Sequence, residues 1–178
     1  MKIEKKLSEL SRFLDTVEDF LDRQAEQAES EEQRRQLEQY FPNLLRSSVF
    51  VTIYSAVENE LNRLCRALKK EDGLELEDLR GSGIQRACTY LTRVCRVDFP
   101  GDSPEWASLQ DFNHLRNIIV HNNGIGEGGN QFERLRAEYP ELAVGKEQGI
   151  VLGREFCPRV LKAVEKFFHL LKGVLVQP

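Results

Sequence analysis

The segment Leu115–Arg116–Asn117–Ile118–Ile119–Val120–His121–Asn122–Asn123–Gly124 sets a permanent cation and a proton carrier into an apolar run. An arginine guanidinium is planar, always charged and forked, which matches the paired oxygens of a phosphate or carboxylate. A histidine, with an ordinary pKa of about 6.5, transfers protons near neutrality. On a helix, five steps part Arg116 from His121 by about 7.5 Å along the axis and about 140° around it. They do not share a stripe, although a long arginine side chain spans part of that angle. Asn117 and His121, at i and i+4, do share one. These are residue types for acid–base work beside a clamped anion. Each also has a structural role open to it: a salt bridge for Arg116, and for His121 a cap at the negative end of the helix dipole.

Such side chains need a helix to hold them, and the flanking sequence supplies it. Ser103 suits an N-cap, with Pro104 in the first turn and Glu105 at the positive end. Trp106, Leu109, Phe112, Leu115 and Ile119 follow at helical spacing, and Asn122–Asn123–Gly124 tolerates a left-handed cap. Upstream, Ile3, Leu7, Leu10, Leu14, Val17 and Leu21 predict a long amphipathic helix over 3–28, its buried stripe widened by Phe13 and Phe20. Residues 27–39 are almost wholly polar, a solvated extension or a bend, and Pro42 predicts a boundary. A second helix is predicted over 43–70 from Val49, Ile53, Val57, Leu61, Leu64 and Leu68, thickened by Phe50 and Tyr54, with Gly73 as its stop.

A turn over 74–80 leads to a predicted helix at 84–97. Beyond the Gly-rich stretch 124–129 come a short helix at 130–138, an extended turn within 142–152 and a last helix over 156–175. The fold predicted is an all-α, single-domain helical bundle over 1–178, with an acidic helical arm at 1–41 and a core at 42–178. Around the Arg–His segment, Glu58 is either a contact from the second helix or a solvated carboxylate. His114 lies seven residues before His121 on nearly the same face, and Asn122 follows the histidine directly; both are candidate supporting residues. His169, in the apolar final helix, reads as structural.

Composition narrows the classes. Hydrophobic residues make up 40% and charged residues 30%, which excludes a membrane protein and a disordered tail alike. No apolar run approaches the roughly 18 to 20 residues of a membrane span. The opening MKIEKKLSEL has no apolar core of a signal peptide, so a cytoplasmic protein with no membrane partner is expected. Cys65, Cys88, Cys95 and Cys157 form no CxxC pair, and the only histidines are His114, His121 and His169. No metal site and no cofactor is expected, and the cysteines read as reduced thiols. No Gly-Lys-Ser/Thr follows the glycines of 124–129, so a flexible loop beside the site is expected there, not a phosphate loop.

Arg116–Asn117–xxx–His121, late in an all-α chain, resembles the Arg-x4-to-6-His motif of the HEPN superfamily. The stretch Tyr54–Ser55–Ala56–Val57–Glu58–Asn59–Glu60–Leu61 and the apolar Val151 and Leu152 before the last helix add pattern-level similarity. The likeness spans residues 45 to 172 and leaves out the helix at 3–28. It implies a metal-independent endoribonuclease, commonly a toxin or antiphage effector, that works as a homodimer joining two such motifs. It also implies a possible antitoxin or regulatory partner. Some members have lost activity and serve as binding scaffolds, so the alternative is a non-catalytic helical interaction or RNA-binding module. On the catalytic reading His121 is the general base or acid, Arg116 clamps the phosphate, and Asn117 orients the imidazole or the phosphate. The expected product carries a 2′,3′-cyclic phosphate.

Charge bears on an RNA partner. The net charge of −4 argues against phosphate binding when taken whole. Residues 1–41 hold seven basic and eleven acidic side chains, leaving 18 of each in 42–178. The acidity belongs to the arm. Between Leu79 and Val97 there are four arginines and no acidic residue. Of these, Arg86, Arg93 and Arg96 are candidates to track an RNA backbone, against the alternative of a solubilising face.

Overall fold

In the computed structural model, described over residues 2–69, 73–121, 130–145 and 149–176, helices carry almost all of the structure. The protein is all-α apart from one small hairpin. Helix α1 (Ile3–Glu26) buries Ile3, Leu7, Leu10, Leu14, Leu21 and Ala25, one stripe at three- and four-residue spacing. That stripe packs on α3 (Phe41–Ala67) and α7 (Phe156–Val176), so the acidic N-terminal helix lies within the bundle. Phe13 and Phe20 do not widen the buried stripe as the sequence predicts. They are 52% and 54% exposed, because α1 meets its neighbours along the leucine edge and turns the phenylalanines outward.

Pro42 stands in the first turn of α3, but the chain does not break before it. Ser30 caps a short helix α2 (Glu31–Arg35), accepting from the Gln33 N–H at 3.2 Å, and a π turn over Gln36–Tyr40 carries the chain directly into α3. A proline inside a helix lacks one N–H and its ring presses on the carbonyl four residues back. The wide turn just before it, with bonds reaching back five residues, gives the ring room. Ala67 ends α3 before Gly73 is reached, and Leu68 sits at the C-cap outside the buried face.

The next helix is shorter than 84–97: α4 (Gly83–Thr89) runs into a second π turn over Tyr90–Val94. Helix α5 (Pro104–His121) starts where the sequence predicts, with the Trp106 N–H donating to Ser103 Oγ at 3.1 Å. Residues 122–129, including the predicted cap, Asn122 and the glycine loop, lie outside the described residues. Helix α6 (Asn130–Glu138) follows. The stretch 142–152 forms an antiparallel pair, β1 (Leu142–Val144) with β2 (Ile150–Leu152), in the register Ala143↔Val151. Asn43 on α3 ties it down, donating to the Ile150 carbonyl at 3.2 Å and accepting from the Leu152 N–H at 2.9 Å.

Two aromatic groups fix how α5 sits. Phe50, Phe112, Phe156 and Tyr139 meet edge to face or tilted around the centre, and Phe99, Trp106 and Phe167 do so at the start of α5. Such contacts add about 0.5–1.5 kcal/mol each beyond the area they bury. They pin α5 to α3 and α7 along the length that leads to Arg116.

Candidate functional site

Phe50 on α3 meets Phe112 on α5 at 6.2 Å between ring centroids. One turn further along α5 stands Arg116; one and two turns further along α3 stand Tyr54 and Glu58. The three act on one another electrostatically. Glu58 is half-buried, and lost hydration pushes its carboxyl up, with the Arg116 guanidinium opposing that shift. Tyr54 is buried; its phenol is pushed up by burial first, then by the Glu58 charge, against the pull of Arg116. The Glu58 carboxylate leans on the start of α4: a Cβ added to Gly83 would stand 2.7 Å from Glu58 Oε1.

Arg116 is half-buried and donates from Nη1 to Asn117 Oδ1 at 3.0 Å, which draws the guanidinium across the exposed face toward the His121 stripe. Its Nε is buried and has no hydrogen-bond partner among the described residues. Asn117 and His121 are exposed, the histidine closing the described part of α5. The structure therefore joins Arg116 to Asn117 directly and to Glu58 and Tyr54 through their charges. His121 stands at i+4 from Asn117, on the far side of the helix from Glu58 by the 140° of five helical steps.

His114 belongs to a different neighbourhood. It is half-buried beside Asp111, which is paired with Arg134 of α6 and accepts from the Tyr139 hydroxyl at 3.3 Å. Burial lowers the His114 imidazole pKa, Asp111 opposes that and Arg134 adds to it. This cluster fastens α6 to α5. His169 is exposed on α7 and not in the core, since the apolar face of that helix runs through Val160, Val164, Phe167, Phe168 and Leu171.

The arginine cluster divides by burial. Arg86 on α4 is half-buried, with its Nε buried and unpartnered among the described residues, and its charge acts on Glu77. Arg93 and Arg96 are exposed, Arg96 in the left-handed region at φ 60° where the chain leaves the π turn. A π turn between Arg86 and Arg93 also shifts the seven-residue register that a regular α-helix would give them.

No family model, no curated protein and no solved structure matches this chain. Its chemistry is therefore argued from its own residues. Among those described, no three His, Cys, Asp or Glu side chains gather as metal ligands, no disulfide joins the four cysteines, and no helix is long and apolar enough to cross a membrane. Sequence reasoning did not single out Tyr54 or Gly83 as site residues. Tyr54 carried a signal, a polar group four residues before Glu58 on an otherwise apolar face. Gly83 carried none, because its proximity to Glu58 arises only from packing.

Proposed function

We propose that the protein is a metal-independent endoribonuclease of HEPN type, with Arg116 and His121 at its centre. The observation that carries this reading is the Arg116–Asn117 hydrogen bond. It holds a partly buried, permanently charged fork against the residue one turn before an exposed histidine. In the reaction, His121 takes the proton from the ribose 2′-OH and O2′ attacks the adjacent phosphorus. The P–O5′ bond breaks as the leaving oxygen gains a proton, giving a 2′,3′-cyclic phosphate and a 5′-OH. Arg116 receives the charge that builds on the phosphate oxygens. One histidine per motif makes a homodimer the natural assembly, the second copy supplying the complementary acid. A toxin or antiphage role in the cytoplasm, restrained by an antitoxin or other regulatory protein, belongs to the same reading.

The test is RNA cleavage in EDTA. Purified protein should cut single-stranded RNA and leave cyclic phosphate ends. His121→Ala and Arg116→Ala should each slow this by about 100-fold or more, the usual weight of a proton-transfer group or a charge clamp. Cleavage that needs a divalent metal, or that survives His121→Ala, removes the mechanism. A second reading, a non-catalytic interaction module, draws on the exposed Phe13 and Phe20 of α1 with Tyr40 and Leu44 on the elements packed against it, each more than half exposed. Inert protein that self-associates until Phe13 and Phe20 are changed to Ser would favour it.

A further inference from the structure

Two buried donors stand unpaired around one carboxylate. Tyr54 is 1% exposed, its hydroxyl is sealed from solvent, and neither it nor the Arg116 Nε has a hydrogen-bond partner among the described residues. A buried polar group left without a partner costs about 1–3 kcal/mol, so such orphans need an explanation. Burial keeps the phenol protonated across the neutral range, which makes it a standing donor. The acidic group acting on both is Glu58, one turn beyond Tyr54 on the same face of α3. In this structure its Oε1 rests against Gly83 instead.

We propose that Glu58 has a second seat, between the Tyr54 hydroxyl and the Arg116 Nε–H, and that Tyr54 is thereby a positioning residue for the guanidinium. The inference rests on reading Arg116 as the phosphate clamp. With its carboxylate off Gly83, Glu58 accepts from both orphan donors at once. The guanidinium is then fixed along its Nε edge, and its terminal nitrogens are left as a fork for two phosphate oxygens. Tyr54 touches no substrate and acts through Glu58. The arrangement also accounts for a tyrosine where phenylalanine would fill the same core volume.

The deciding measurement is the titration of the Glu58 carboxyl by carbon-13 NMR in the free, full-length protein. Tyr54→Phe keeps the ring and removes only the hydroxyl. It should raise the Glu58 midpoint by about one unit, the loss of a hydrogen bond to a charged acceptor. In RNA cleavage the same variant should lower kcat about tenfold with KM within about twofold, the mark of a misplaced clamp. An unmoved Glu58 midpoint overturns the proposal. A moved midpoint in a protein that cuts no RNA keeps the Tyr54–Glu58 pair and removes the nuclease. Cleavage that depends on His121 and Arg116 but ignores Tyr54→Phe in both readouts does the reverse. Should Tyr54→Phe fail to fold, solvent exchange of the Arg116 Nε–H decides: about tenfold faster in Glu58→Ala supports the pair, and no change overturns it.

Discussion

At the scale of single residues, α5 carries two histidines with different surroundings. His121 is exposed at the end of the helix, whereas His114 is half-buried among Asp111, Arg134 and Tyr139. Burial depresses the His114 imidazole below 6.5, chiefly by desolvation and despite Asp111. The unfolded chain therefore binds a proton more readily than the folded one between that lowered midpoint and 6.5. Stability should rise with pH through this window and fall on acidification. Denaturant midpoints measured from about pH 5 to about pH 8 should show that rise in the wild type, and His114→Gln should flatten it. A slope that survives the substitution assigns the titration to another group. The same divergence separates the two residues: His114 serves the joint between α5 and α6, whereas His121 is exposed and shares a stripe of α5 with Asn117.

At the scale of elements, α5 was legible and the packing of α3 against α5 and α4 was not. Ser103, Pro104 and the run from Trp106 to Ile119 mark a helix through local rules of capping and periodicity, and the N-cap bond to Trp106 forms as those rules require. The helical run into Pro42 was not legible because a π turn is a tertiary accommodation that no local rule announces. The aromatic residues of α1 misled because periodicity marks an apolar face but not its edges, and packing admitted the stripe from Ile3 to Ala25 without the phenylalanines. The contact between Glu58 and α4 is of the same non-local kind. Gly83 there has φ +56°, a conformation that costs an ordinary residue about 1–2 kcal/mol, and its missing Cβ leaves room for Glu58. Gly83→Ala should destabilise the fold by at least that amount in denaturant melts. In a Glu58→Ala background the cost should shrink toward the backbone share alone, since the 2.7 Å contact is gone. Equal costs in both backgrounds mean that Glu58 already stands clear of α4 in solution.

At the scale of the whole molecule, charge decides what kind of RNA contact the proposed nuclease would make. The acidic excess lies on residues 1–41, much of it on α1, where Glu18 is buried between Arg46 Nε at 2.6 Å and Arg154 Nε at 2.9 Å, while Asp22 takes Arg154 Nη1 at 2.7 Å. Part of that acidity is thus spent in joining α1 to α3 and to the turn before α7. The remaining 42–178 are balanced, so on the proposed reading the net charge does little to draw RNA in, and local arginines supply the phosphate contacts. Arg116 with the exposed Arg93 and Arg96 gives about three phosphate contacts, and single-stranded binding weakens with a log–log salt slope of about −0.7 per contact, hence about −2. Fluorescence anisotropy of labelled RNA on His121→Ala protein, across a range of KCl, measures it. Arg93→Ala and Arg96→Ala should each make the slope shallower by about 0.7, whereas Arg86→Ala, removing a half-buried side chain, should leave it unchanged. A wild-type slope near −5 would demand about seven phosphate contacts, more than these three arginines supply, and would overturn this assignment of the contacts.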